Sequence, residues 1–120
     1  MVKDVIDRLK KGSIKDVALF GNSPKVPGLP QVVVKPEAGI INGTRSYKII
    51  VRHEVGRFDE LEGYVLGELD GLLAGDIEGR DGGRYRLHPN GFTDLTADPK
   101  NGCIYMERIY IAPMPGLIRQ

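Results

Sequence analysis

The sequence predicts an α+β fold in which two α-helices pack on one face of a mainly antiparallel β-sheet. Several runs rich in valine, isoleucine and tyrosine have the length of strands, and turn-forming residues separate them. Two other segments, residues 2–11 and 59–74, carry apolar residues at helical spacing. With 120 residues and 41% hydrophobic content, the chain is long enough to form one hydrophobic core but not two. We therefore assign residues 1–120 to a single domain.

The first half of the chain begins with a short amphipathic helix, predicted at residues 2–11, because four apolar residues from Val2 to Leu9 recur at helical spacing. Strands are then predicted at about residues 16–20, 31–35 and 46–54. The second strand holds three consecutive valines, Val32–Val34, which suit burial on both faces of a sheet. Asn42-Gly43 predicts a turn after it, so we expect the third strand to run antiparallel to the second.

The second helix is predicted at residues 59–74. Asp59 is a good N-cap residue, and Glu62 stands three positions later, as in a capping box. Five apolar residues then form one stripe: Leu61, Val65, Leu69, Leu72 and Leu73. This stripe is expected to face the core.

The rest of the chain predicts a mobile loop and further strands. Residues 75–83 contain four glycines and alternating charges, which favour a mobile loop. Strands follow at about residues 84–88, 92–97 and 103–111, separated by turns at Pro89-Asn90-Gly91 and Asp98–Gly102, and a C-terminal tail is expected at 112–120.

Three glycines, Gly63, Gly67 and Gly71, recur every fourth residue in the second helix. At about 100° per residue this spacing places them along one side, roughly opposite the apolar stripe. Each glycine costs about 1 kcal/mol relative to alanine inside a helix. Two interpretations remain open: a neighbouring subunit approaches closely over this bare ridge, or the ridge is a poorly optimised solvent-exposed face.

No catalytic, cofactor or metal site is predicted. Zinc sites need about four ligands at recognisable spacing. The chain has two histidines, His53 and His88, and Cys103 is the only cysteine that could join them as a ligand. Asp76, Glu78 and Asp81 lack the spacing of a calcium loop. Phosphate-binding glycine motifs and a nucleophile elbow are also missing, so we do not expect an enzyme.

The basic residues are expected to be solvated surface charges rather than a nucleic-acid site. Seven of them offer a possible cluster: Lys48, Arg52, Arg57, Arg80, Arg84, Arg86 and Arg108. The net charge is only +1, however, and the chain lacks tryptophan and has only three phenylalanines to stack on bases.

Composition favours a reducing compartment and argues against a membrane protein. The single cysteine excludes an internal disulfide, and no run of 18 apolar residues exists. The charged N-terminus lacks the apolar core of a signal peptide. We therefore expect a cytoplasmic protein without membrane contact.

An N-terminal helix precedes a strand that begins Pro30-Gln-Val-Val-Val, an Asn-Gly turn, a strand Tyr47-Lys-Ile-Ile-Val, and a helix that opens Asp59-Glu-Leu-Glu-Gly-Tyr-Val. This pattern of elements and sizes resembles the small tail-terminator or tail-completion proteins of long-tailed bacteriophages. The resemblance covers most of residues 1–73 and the closing strand at 103–111. It implies an antiparallel sheet with both helices packed on it.

The resemblance also implies a function in assembly. Such proteins form a hexameric ring that caps the tail tube, halts its growth and joins it to the head connector, so the implied partners are further copies, the tail tube protein and the head-connector protein. DNA passes through the ring without sequence-specific binding, no cofactor is implied, and the location is the virion neck, with host cytoplasm during assembly. A heterologous ring contact fits the ridge Gly63, Gly67 and Gly71.

Partner contacts are expected from loops. Candidates are residues 22–29, the loop 75–83 with Arg80 and the adjoining Arg84, and the tail with Pro113 and Pro115. Two alternatives stay open: a head-completion or other connector protein of the neck, and, from another class, a small cytoplasmic ligand-binding domain or enzyme subunit.

Overall fold

The computed structural model describes residues 2–21, 28–37, 44–79 and 84–113, which form helices and a mixed sheet. Helix α1 spans Val2–Leu9. A second continuous helix, residues 58–73, consists of α2 (Phe58–Gly63), a π-helical segment (Tyr64–Glu68) and α3 (Leu69–Leu73). The predicted α+β class is confirmed at this level.

Seven strands of the described residues form the sheet. They are β1 Val17–Leu19, β2 Gln31–Pro36, β3 Thr44–Glu54, β4 Gly75–Glu78, β5 Arg84–Phe92, β6 Thr96–Asp98 and β7 Cys103–Pro113. The strand order is β1-β2-β3-β7-β5-β4, and β6 pairs with β7 beside β5. Only the pairing of β1 with β2 is parallel, so the sheet is mainly antiparallel, as predicted.

The two faces of β3 have different surroundings. Tyr47, Ile49 and Val51 belong to the main hydrophobic cluster, together with the apolar side of the second helix. Ile50 projects to the other face, where it pairs in register with Val33, and both are buried outside that cluster. The predicted alternation along β3 and the double-sided burial of Val32–Val34 are therefore confirmed.

Strand register brings several chain segments to one end of the sheet. Pro36 pairs with Tyr47 close to the start of β3, and Thr44 pairs with Pro113. His88 of β5 pairs with Ile111 of β7, and the two strands are antiparallel. Arg84, four residues before His88, therefore lies beyond the same end of the sheet. We name this the Thr44 end; the Glu54 end lies opposite, where β3 finishes and β7 begins.

The predicted capping box at Asp59 and Glu62 is wrong. The chain turns at Gly56, whose φ is +93°, and the N–H of Arg57 donates to the carbonyl of Glu54 at 3.1 Å. The helix therefore begins at Phe58, its N-cap is Arg57, and no side chain caps it. Asp59 lies within the first turn, where its charge still complements the helix dipole.

The prediction of a mobile loop over residues 75–83 is also wrong for its first part. Gly75–Glu78 form β4 and pair with Arg84–Leu87 of β5. Ile77 is buried in the main cluster, and Asp76 accepts a hydrogen bond from Arg86 across the hairpin at 3.0 Å. The glycines and charges of this segment are typical of a loop. One buried apolar side chain and one cross-strand ion pair nevertheless stabilise it as a strand.

The predicted turn at Pro89-Asn90-Gly91 is wrong, because β5 continues through it to Phe92. The register against β7 shifts between Pro89 and Phe92, and Gly91 has a φ of +103°. The turn-forming residues therefore accommodate a bulge. In place of the predicted strand at 92–97, the structure has the shorter β6. The predicted turn at Asp98–Gly102 is confirmed, because Asp98 pairs with Cys103 across it.

Candidate functional site

The glycine ridge, Gly63, Gly67 and Gly71, lies on an exposed side of the second helix. A Cβ atom built on any of the three would meet no atom within 4 Å, apart from the helix's own nearby backbone. Leu66, one helical position before Gly67, keeps 45% of its surface exposed. The helix thus presents a bare surface with one apolar side chain beside it, whereas its apolar stripe faces the core as predicted.

The second helix is strongly acidic. Residues 58–73 contain five carboxylates and no basic side chain: Asp59, Glu60, Glu62, Glu68 and Asp70. Among the described residues, Asp59 and Glu62 have no side-chain hydrogen bond or ion pair, whereas the other three carboxylates bind neighbouring elements. The free carboxylates therefore lie near the start of the helix.

A groove of about 380 Å³ lies along this helix at the Glu54 end, and we name it the acidic groove. It is lined by Ser13, Ile14, Pro30, His53, Asp59, Glu60, Gly63, Tyr64 and Glu68. Three of these side chains are carboxylates and none is lysine or arginine. Because Gly63 belongs to the lining, the groove is continuous with the glycine ridge.

Hydrogen bonds hold two of the three carboxylates of the acidic groove, Glu60 and Glu68, in place. Glu68 accepts from both the backbone N–H of Ser13, at 2.7 Å, and its hydroxyl, at 2.7 and 2.9 Å. His53 Nδ1 accepts from the backbone N–H of Glu54 at 2.7 Å, so the ring proton is on Nε2, which donates to Glu60 at 3.0 Å. Both ring nitrogens form hydrogen bonds, so the ring is fixed between β3 and the second helix.

Tyr64 contributes to the acidic groove and is 5% exposed. Its hydroxyl is buried and has no hydrogen-bond partner among the described residues. Burial, followed by the negative charge of Glu68, raises the pKa of this hydroxyl, so it stays protonated. An unpaired buried hydroxyl is unfavourable, and a group that reached it would be stabilised, but the hydroxyl has almost no accessible surface, so the neighbouring side chains must move first.

Farther along the helix, Asp70 is tied to strand β7. Arg108 donates to Asp70 Oδ1 at 3.2 Å and to Oδ2 at 3.0 Å, and the hydroxyl of Tyr110 donates to Oδ1 at 2.5 Å. Burial, followed by the hydrogen bond to Asp70, raises the pKa of Tyr110. The Arg108 guanidinium also lies 5.9 Å from the ring centre of the exposed Phe92. These bonds fix the helix to the sheet.

A second groove, of about 440 Å³, lies on the opposite face of β3, and we name it the back groove. It is lined by Ile50, Arg52, Ala97, Asp98, Pro99, Lys100, Tyr105 and Glu107. The hydrogen bond of Arg52 goes to the neutral amide of Gln31, at 3.4 Å, and the ammonium of Lys100 forms no ion pair within the described part of the chain. The charge of Lys100 is thus available, whereas the charge of Arg52 is partly offset by Asp98, whose pKa it helps to lower.

The two carboxylates of the back groove are already engaged. Asn101 donates to Asp98 at 2.8 Å, and this hydrogen bond lowers the pKa of Asp98. Glu107 forms an ion pair with Lys48 at 3.8 Å. The back groove therefore combines two cations that form no ion pair among the described residues, Arg52 and Lys100, with apolar surface from Ile50 and other lining residues.

The structure separates the predicted partner-loop residues. Arg84 is exposed at the start of β5, and Pro113 is the last residue of β7, so both lie at the Thr44 end. Arg80 and Pro115 fall outside the described residues, as does Asp81. The glycines remain together on one helix face.

Four of the seven basic residues that were considered as a possible cluster have carboxylate partners among the described residues. Lys48 pairs with Glu37 and Glu107, Arg57 with Glu54 and Glu60, Arg86 with Asp76, and Arg108 with Asp70. These partners neutralise the charges locally. The interpretation as surface charges thus describes these side chains better than a phosphate site.

Other candidate reactive groups are dispersed. His88 is exposed on β5, and Cys103 is buried at the start of β7, where burial raises the pKa of its thiol. Within residues 2–21, 28–37, 44–79 and 84–113, no three metal-binding side chains come together. No helix of this part has the length and apolar character needed to cross a membrane.

Sequence reasoning did not anticipate the two grooves or the exposure of the phenylalanines. Phe20, Phe58 and Phe92, which are all the phenylalanines of the chain, are 45–51% exposed. Large exposed aromatic side chains are typical of interaction surfaces. One signal was available: a 16-residue helix with five acidic residues and no basic residue is asymmetric enough to predict a charged surface.

Comparisons of the chain with protein-family models and with curated proteins gave no match. The geometry of the helix, of the acidic groove along it and of the back groove on the opposite face of β3 therefore carries the functional argument.

Proposed function

We propose that this protein is a structural component of the neck or tail of a long-tailed phage, where it forms a ring that caps the tail tube and joins it to the head connector. The observation that carries the proposal is the glycine ridge, because three glycines lie side by side with open space above each. A helix face without side chains lets a second backbone approach closely, and one copy can offer this face to the next.

The order of elements supports the proposal. The described helix and strands from Val2 to Leu73 follow the order on which the resemblance to tail-terminator proteins rests. In the proposed ring, both helices of each copy pack on one face of its sheet. The ring has six copies, and DNA passes through its centre without sequence-specific binding.

The Thr44 end of the sheet is suited to contact a second partner. β2, β3, β5 and β7 all begin or finish there. A ring-forming protein needs one set of contacts for its neighbours and another for the tube or connector. In the proposed arrangement the helix supplies the first set, and the Thr44 end, with Arg84 and Pro113, supplies the second.

The native mass of the purified chain, measured by light scattering over a wide concentration range, tests the ring. A discrete oligomer, six copies above all, is the expected result. Binding to isolated tail tubes, seen by electron microscopy as a cap on one end, tests the location. A chain that neither assembles with itself nor binds tube ends would refute the proposal.

A further inference from the structure

We infer that neighbouring copies contact each other by placing Arg52 and Lys100 of the back groove of one copy against the acidic groove of the next. This inference rests on the proposed function, since it names the partner surfaces of the ring contact. The acidic groove holds the carboxylate of Asp59 and the buried hydroxyl of Tyr64, neither of which has a partner among the described residues. A cationic side chain that enters the groove pairs with Asp59, and it donates a hydrogen bond to the Tyr64 hydroxyl where the surrounding side chains move to admit it.

Charge complementarity identifies the back groove as the partner. Among the described residues, the lining of the acidic groove has three carboxylates and no lysine or arginine, and although Arg57 pairs with Glu60 from outside the lining, Asp59 and Glu68 have no cationic partner. In the back groove, Asp98 and Glu107 already have partners, whereas Arg52 and Lys100 lack a carboxylate within 4 Å among the described residues. The charges left over on the two surfaces therefore have opposite signs.

Apolar groups accompany the charges on both surfaces. Phe58, 45% exposed, precedes Asp59 in the chain, and Val55 in the adjoining turn is 66% exposed. Ile50 and Tyr105 line the back groove together with its cations. Interfaces commonly place aromatic and aliphatic groups within such a polar surround.

The positions of the grooves suit a ring. His53 lines the acidic groove and Arg52 lines the back groove, and these consecutive residues of β3 project to opposite faces of the sheet. Both grooves therefore lie at the Glu54 end, at the same level of the molecule. Contact between opposite faces at one level is heterologous, and its repetition closes a ring when the rotation between copies permits.

A charge exchange tests the contact. Asp59→Lys and Lys100→Glu each place like charges together, and each is expected to weaken assembly on the order of a hundredfold in native-mass titrations. A chain carrying both substitutions is expected to assemble again, since the charges are opposite once more. Asp94→Lys is the matched control for Asp59→Lys, because it makes the same change in net charge at an exposed position that lines neither groove, and it is expected to leave assembly unchanged.

Tyr64→Phe provides a second test that does not alter charge. Loss of a hydroxyl that receives a hydrogen bond from a cation is expected to weaken assembly about tenfold. The thermal unfolding of the unassembled chain should not fall, because the hydroxyl has no partner there. A folded Tyr64→Phe chain that assembles like the wild type would overturn its assigned role.

The remaining outcomes separate this inference from the proposed function. If both charge reversals assemble as the wild type does, or if the double variant is no better than the single variants, copies associate through another surface and only the inference fails. If the wild-type chain stays monomeric at every concentration, the contact is likewise overturned. The cap on isolated tail tubes would still decide the proposed function independently.

Discussion

Replacing the glycine ridge by alanine gives opposite expected effects on folding and on assembly. Gly63, Gly67 and Gly71 have ordinary helical surroundings, and the added Cβ atoms meet nothing within 4 Å. Alanine favours a helix over glycine by about 1 kcal/mol per position, so the triple variant is expected to gain about 2–3 kcal/mol. The lower value allows for Gly67, which lies in the π-helical segment, where the α-helix scale applies less directly.

The gain is measurable by thermal and denaturant unfolding of the unassembled chain. For a domain of this size, 1 kcal/mol corresponds to about 4 °C in Tm, so the midpoint should rise by roughly 8–12 °C. Each single variant separates the contributions, with Gly63→Ala and Gly71→Ala expected to exceed Gly67→Ala. A triple variant no more stable than the wild type would refute the reasoning from helix propensity.

The same variant tests the ridge as an interface. Three methyl groups would hold a neighbouring backbone away, so assembly should weaken although folding strengthens. Native-mass titration of the triple variant beside the wild type measures this. A more stable chain that assembles normally would show that the ridge is only a solvent-exposed helix face, which is the other interpretation of the glycine spacing.

Three further predictions concern side-chain partners and backbone conformation. Tyr110→Phe removes a hydrogen bond to a charged group and should lower the free energy of unfolding by about 1.5–3 kcal/mol in denaturant titration, whereas Tyr64→Phe should lower it little or raise it. The hydrogen bond from Arg86 lowers the pKa of Asp76, so the stabilisation from this pair is complete above the usual value of 3.8 and lost as the pH falls through the lower folded value. A carboxyl titration by NMR should show that low midpoint, and Arg86→Gln should return it towards 3.8; equal midpoints in the two chains would contradict the pairing. Gly91→Ala should destabilise by about 1–2 kcal/mol because φ is +103°, and an unchanged Tm would show that the bulge relaxes.

Local periodicity was sufficient to predict most of the elements. Alternation along residues 47–53 predicted which side of β3 is buried, and Val32–Val34 are buried as predicted. The stripe from Leu61 to Leu73 also faces the core. These signals are reliable because burial of one face imposes a period of two on a strand and of 3.6 on a helix.

Signals from single residues failed where distant partners decided the conformation. Asp59 has the chemistry of an N-cap, but the turn closed by Glu54 and Arg57 starts the helix one residue before it. Gly75–Glu78 have the composition of a loop, yet pairing with β5 and burial of Ile77 make them a strand. In each case a contact between elements outweighed a local preference.

The sequence by itself determined the α+β class, the positions of most elements, and the glycine spacing that places three bare positions on one side of a helix. Only the tertiary structure decided the strand order, the grooves on the two faces of β3, and the pairing that leaves Asp59, Arg52 and Lys100 without an ion-pair partner in the described part of the chain. The physical reason is distance along the chain. Periodicity is set by neighbours within a few residues, whereas a groove depends on side chains such as Ser13 and Glu68, which are 55 positions apart and meet only after the chain has folded.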